Sequence, residues 1–173
     1  MLPERNRHEI DRLVEATIIT SRANGAQPAE SIFAVARNCG YRLHEYSDLT
    51  LEKIEAICAT YNGTLPPGMF FETTKGEKFI FYNNLLSINE VSYTIAHELG
   101  HGQMGHVEPC SLAEREADYF ADCILSKLPD VRPVKPEYAA GTLGRFKNIG
   151  TVAAVLLGAA CIHYICKKSR NAA

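Results

Sequence analysis

The residues of this chain whose types and spacing could do the most chemistry are two histidines four apart, His97 and His101, with a glutamate directly after the first. On a helix a four-residue step is close to one turn, so in His97-Glu98-Leu99-Gly100-His101 both imidazoles share a face. Two neutral imidazoles so placed can bind one zinc ion. Glu98, about 100° round the helix from His97, can then take a proton from a water held there, as a general base. A shuffled chain of this composition would show the pattern about 0.02 times, which makes chance a poor account of it.

A zinc ion held by two histidines lacks a third protein ligand. The elements around the motif say where one could come from. Ser87-Ile-Asn-Glu90 fits a capping box, so a helix begins close to Ile88. Val91, Thr94, Ile95 and Leu99 recur at helical spacing and give that helix a buried stripe beside the histidines. Gly100, Gly102 and Gly105 weaken it after His101, and Pro109 prevents its continuation. Ser111-Leu-Ala-Glu114 reads as a second capping box. Behind it, Leu112, Ala117, Phe120, Ala121, Ile124, Leu125 and Leu128 form an apolar face that ends at Pro129. Glu114 and Asp118 lie one turn apart on the same side of this second helix, so one carboxylate can bind zinc while the other orients a liganding histidine. The alternative for Glu114 is that it only caps its own helix. Glu116 competes as a ligand but points about 200° away from Glu114, and it reads as solvent-facing, with at most a neighbour as partner.

His97-Glu98-Leu99-Gly100-His101 followed by Glu114-Arg-Glu-Ala-Asp118-Tyr-Phe120-Ala121-Asp-Cys-Ile-Leu125 resembles the ImmA/IrrE family of gluzincin metallopeptidases. The similarity extends from about residue 28 to 129. It takes in Ser31 to Tyr46 and Phe79-Ile-Phe-Tyr-Asn-Asn84 ahead of the histidine helix. The resemblance implies a zinc site made by His97, His101 and Glu114, with Glu98 as the catalytic base and Asp118 behind a ligand. It also implies a regulatory protease that cleaves a DNA-bound helix-turn-helix repressor encoded with it in a mobile element or stress circuit. Three readings from other classes stand beside this one: a membrane-associated quality-control metallopeptidase, a zinc-binding module without turnover, and a purely structural zinc fold. An intact Glu98 argues against the last two, because a module that only binds zinc has no use for a base beside the water.

The other elements read in chain order. Residues 4 to 23 form an amphipathic helix with Ile10, Leu13, Val14, Thr17 and Ile18 on one side. This stretch lacks the apolar core of a signal peptide, so the domain is expected in the cytoplasm. Pro28 opens a second helix to about Asn38, a short strand covers Tyr41 to Tyr46, and a further helix fits Leu51 to Tyr61. Met69 to Thr73 and Lys78 to Tyr82 bracket a turn as a hairpin. The Lys78 to Tyr82 strand is the candidate free edge along which an extended substrate could add; the alternative is that the hairpin only covers the core.

These elements predict an α+β domain, a small antiparallel sheet packed on helices with the histidine motif on one of them. The expected segments are an N-terminal helix over 1–27, the metallopeptidase domain over 28–129, a linker over 130–147, and a hydrophobic C-terminal helix over 148–173. The last rests on Ile149 to Cys166, which has no charge and is flanked by Arg145, Lys147, Lys167, Lys168 and Arg170. At 1.5 Å per residue it reaches about 27 Å, near the lower limit for a bilayer core, and a membrane anchor is the favoured reading over a packed helix.

Composition narrows the classes further. The 173 residues are 46% hydrophobic with a net charge of −2, enough for one core and an appendage. Residues 1–137 hold 13 basic and 20 acidic side chains, while the rest hold five basic and none acidic, so the main domain offers no nucleic-acid surface. Six cysteines, without a C-x-x-C pair or an export signal, read as reduced thiols. His106, Tyr93, Tyr119 and Arg115 are candidates for assisting the transition state, with a structural role the simpler reading of each, and His8, His44 and His163 read as incidental.

Overall fold

A computed structural model describes residues 2–25, 31–61, 63–106, 110–129 and 134–136. Its order is α1 (Glu4–Asn24), α2 (Ile32–Asn38), β1 (Tyr41–Glu45), α3 (Leu51–Thr60), β2 (Gly68–Glu72), β3 (Lys78–Tyr82), α4 (Ile88–Met104) and α5 (Ser111–Leu125). The fold is α+β, as the periodicities predict. α2 begins later than Pro28 implies, because the Ser31 hydroxyl accepts the Ala34 amide and fixes the start at Ile32.

The sheet is mixed rather than antiparallel. Its order is β1-β3-β2, with β1 parallel to β3 and β2 antiparallel to it. The strand over Lys78–Tyr82 is therefore the centre of the sheet and not its free edge; β1 and β2 are the outer strands. The side chains explain why. Ile80 and Tyr82 face the larger core, whereas Phe79 and Phe81 face a second cluster with Tyr46, Ile57 and Met69, so β3 is covered on both faces.

α4 carries the histidine motif through the middle of the molecule. Every residue from Val91 to Gly100 is buried, as is Gly102, because the helix packs on β2 and β3 on one side and on α2 and α5 on the others. Ile10, Val14, Ile18, Ile32, Val35, Phe120 and Ile124 complete the core around it. The Ser87–Glu90 capping box forms with both of its hydrogen bonds, and Gly105 ends the helix in the left-handed conformation at φ 66°.

α5 departs from expectation at its start by one residue. Its N-cap is Cys110, whose sulfur accepts the Ala113 amide, and Ser111 is the first helical residue. Glu114 is thereby released from capping. Among the described residues no helix is long and apolar enough to cross a membrane. The expected anchor, 149–166, lies outside the described residues, as do the basic tail and all of the expected linker over 130–147 except 134–136.

Candidate metal centre

α4 and α5 pack side by side, and the residues they turn toward each other are those singled out by spacing. His97 Nε2 and His101 Nε2 are 3.0 Å apart. Glu114 places Oε2 at 3.4 Å from the first and Oε1 at 3.6 Å from the second. Three donor atoms bound to one zinc ion at about 2.0–2.1 Å in a tetrahedral arrangement lie roughly 3.3–3.4 Å from one another; the two nitrogens and the two carboxylate oxygens stand at 3.0–3.6 Å, close to that spacing. Both imidazole edges would otherwise confront each other and a carboxylate across this space. Two nitrogen donors and an oxygen donor suit a divalent cation.

Asp118, one turn beyond Glu114, reaches the far side of the first imidazole, with Oδ1 at 3.1 Å from His97 Nδ1. The Tyr93 hydroxyl donates to the same oxygen at 3.2 Å, and the Lys135 ammonium donates to Oδ2. With Nδ1–H committed to Asp118, Nε2 is the nitrogen turned to the cluster, and it would offer its lone pair to a metal ion that displaces the ring's second proton. Partial burial opposes ionisation of Asp118, yet His97 and Lys135 outweigh it and hold the carboxyl at about 2.

The two imidazoles are driven apart in basicity. Burial disfavours a charge on His97, but Asp118 and Glu114 outweigh it and push the ring up to about 10. On His101 burial and the neighbouring His97 act together and bring it down to about 4. The pair thus shares a single positive charge that the carboxylates attract, a place that a metal ion can take. Burial also opposes ionisation of Glu114, and His97 and His101 hold it below the usual carboxylate range nonetheless.

Glu98 is 8% exposed and sits under β2. Rungs from Asn83 N to Pro67 O and from Thr73 N to Glu77 O, each 2.8 Å, show that the odd-numbered residues of β2 bond to β3. The even-numbered amides then point to the open edge, and the Phe70 N–H donates to the Glu98 carboxylate. Burial raises the carboxyl to about 7, against the pull of His97 and the Phe70 amide. A carboxylate in that range can accept a proton near neutral pH.

The approach of β2 to α4 depends on Gly68. A Cβ at this position would lie 2.4 Å from Thr94 Cγ2, 3.0 Å from the Phe81 carbonyl and 3.3 Å from Glu98 Cγ. Gly68→Ala is accordingly expected to cost about 1–3 kcal/mol, in the range of other overpacked sites. It should also slow cleavage while leaving metal stoichiometry at one, since no ligand is touched. Thermal melting, metal analysis and a peptidase assay check this, and unchanged melting with unchanged rate would show that the strand has room to retreat.

The sequence model for peptidase M78, described as the IrrE N-terminal-like domain, matches residues 47–141. The chain belongs to this family. Searches of curated proteins and of solved structures gave no match. A peptidase M78 protein is a hydrolase of peptide bonds, and the His97, His101 and Glu114 cluster provides the donors with which such an enzyme can hold a metal ion.

Of the residues named as helpers, His106 lies against His101, with their Nδ1 atoms 3.0 Å apart, and Tyr93 is on Asp118. Tyr119 instead donates to Asp11 of α1 at 3.2 Å, and the Arg115 Nε–H is spent on the Ser111 carbonyl of its own helix at 3.0 Å. His8 meets the exposed Glu4 one turn before it, and His44 faces the exposed Asp48 while its ring stacks on Phe81 of β3, so neither joins the cluster. One aromatic near the site of this peptidase M78 chain was not foreseen. Burial pushes the Tyr61 hydroxyl up, and the Glu98 and Glu114 carboxylates add to the effect, which locates this C-cap residue of α3 in the field of those two side chains. Its only signal in the sequence is a tyrosine at the end of a predicted helix.

Proposed function

We propose that this protein is a zinc-dependent endopeptidase that cleaves a regulatory protein. The observation that supports it is one arrangement: His97, His101 and Glu114 each bring a donor atom within 4.8 Å of the others, with the buried Glu98 carboxylate on the histidine helix against a strand edge. His97, His101 and Glu114 would hold the ion. Bound there, zinc supplies Lewis acidity and lowers the pKa of water. Glu98 takes the proton of the attacking water on its carboxylate and delivers it to the leaving nitrogen, which turns an amine that would leave poorly into one that leaves readily. Asp118 keeps the His97 ring in the tautomer that offers Nε2. The open edge of β2, next to the base, offers backbone partners to an extended peptide whatever its sequence.

The substrate class follows from kinship to the ImmA/IrrE proteins: a helix-turn-helix repressor encoded alongside. The purified protein loaded with one equivalent of zinc is expected to cut such a repressor at a small number of bonds and to leave unrelated folded proteins intact. Digestion of casein with the repressor untouched would move the assignment to quality control.

The charge-free run over 149–166 carries a separate proposal, a membrane anchor. The full chain should sediment with membranes and resist alkaline carbonate extraction, and recovery wholly in the supernatant would dismiss the anchor.

A further inference from the structure

His97 has Asp118 behind it, and His101 has a partner of a different kind. Its Nδ1 lies 3.0 Å from Nδ1 of His106, the residue just past the Gly105 cap of α4. His106 Nε2 lies 3.2 Å from Glu116 Oε2, and Glu116 Oε1 accepts the Asn6 side-chain N–H at 2.6 Å. The side chains of His101, His106 and Glu116 are only 14%, 14% and 17% exposed. Glu116 is therefore not the solvent-facing residue that its helix phase suggests, because α1 folds over it.

The order of donors and acceptors along this line is determined from one end. A carboxylate only accepts, so Asn6 donates to Glu116 and His106 must carry its proton on Nε2. Neutral His106 then has a bare Nδ1, which can only accept, and the proton between the rings belongs to His101 Nδ1. The one lone pair left to His101 is on Nε2, the atom facing His97 and Glu114. The proton positions are inferred from these partners, and every link has one donor and one acceptor.

We propose that Asn6, Glu116 and His106 form a positioning chain that fixes His101 as a metal ligand, so that α1, outside the stretch matched by the family model, is part of the metal centre. The inference rests on the reading of His97, His101 and Glu114 as a metal site. The chain never touches the ion or the substrate. It selects the His101 tautomer and holds the ring in plane, as Asp118 does for His97, and such outer partners typically account for 10- to 100-fold in metal affinity.

The experiment is zinc affinity of the full chain by competition with a chromophoric chelator, together with the melting temperature of the metal-free protein. Parent protein should bind one zinc. Glu116→Gln, which keeps shape but presents the weaker acceptor, should bind about 3- to 10-fold more weakly, and His106→Ala about 10- to 100-fold. Asn6→Ala should lose less, since water can replace its N–H. Because the residues act in series, Glu116→Gln added to His106→Ala should cost nothing further, and melting of Glu116→Gln should stay within a degree or two of the parent. Parent-like affinity in both single variants, or losses that multiply in the double variant, would overturn the chain while leaving the metal site standing. Parent protein that binds no zinc would overturn both.

Discussion

Glu98→Gln protein should bind one equivalent of metal, cut its substrate at least about 10²- to 10⁴-fold more slowly, and yet melt higher than the parent when metal-free. The amide keeps the shape and can still accept the Phe70 N–H, but it cannot take a proton from water. The gain in stability follows from the environment of the carboxyl. Burial raises its folded value from 4.5 to about 7, so ionisation is penalised in the folded state. This penalty is absent below the unfolded value, grows as pH rises through the interval, and is complete above about 7. It amounts to about 3 kcal/mol. At pH 8 that corresponds to roughly 6–12 °C in melting temperature for a chain of this size, while near pH 4.5 parent and variant should coincide. A bound divalent ion offsets the charge, so the gap should narrow in the loaded protein. Melting curves with chelator across pH check this, and coincident curves at pH 8 would mean that Glu98 bears no burial cost. Natural enzymes commonly hold reactive groups at the expense of stability.

Glu114→Ala is expected to empty the site. Binding energies of about 10–16 kcal/mol spread over four zinc ligands leave roughly 3–4 kcal/mol to each, so losing one donor weakens affinity by about 10²- to 10³-fold. Cleavage should vanish with the metal and return only partly at high zinc concentration. Atomic absorption after dialysis and a peptidase assay with added zinc give the two readouts. Glu116→Ala is the informative control: it leaves all three donors in place and should lose affinity only as far as His106 drifts. If Glu116→Ala empties the site and Glu114→Ala does not, the ligand assignment moves by two residues and Asp118 loses its place behind His97.

The parts of this molecule that local rules govern were legible. α4 starts at Ile88 because Ser87 and Glu90 close a box that involves four adjacent residues, and four-residue spacing puts His97 with His101, and Glu114 with Asp118, on one face of their respective helices. At α5 the same rule led astray by one residue, since the serine at 111 is the conventional cap while the thiol of Cys110 does the capping. Strand order was harder. β1 joins β3 across an intervening helix and strand, and nothing local to either encodes that pairing. A signal existed nonetheless: Lys78-Phe-Ile-Phe-Tyr82 is apolar without alternation, which fits a strand covered on both faces and argues against an edge. The line from Asn6 to Glu116 joins residues 110 apart in sequence, and no periodicity reports on a contact of that separation.

The family model begins at residue 47, after α1, α2 and β1 have ended. Yet Ile10, Val14, Ile18, Ile32, Val35 and Tyr41 are buried against α4 and α5, and β1 supplies one of the two neighbours of β3. A fragment cut to the matched stretch would keep the three metal donors and Glu98 but leave an apolar flank of α4 wet and one side of β3 unpaired, a surface prone to self-association. In this chain the stretch that identifies the family and the stretch that closes the core are thus different objects, and a fragment cut to the first is expected to be recovered as aggregate.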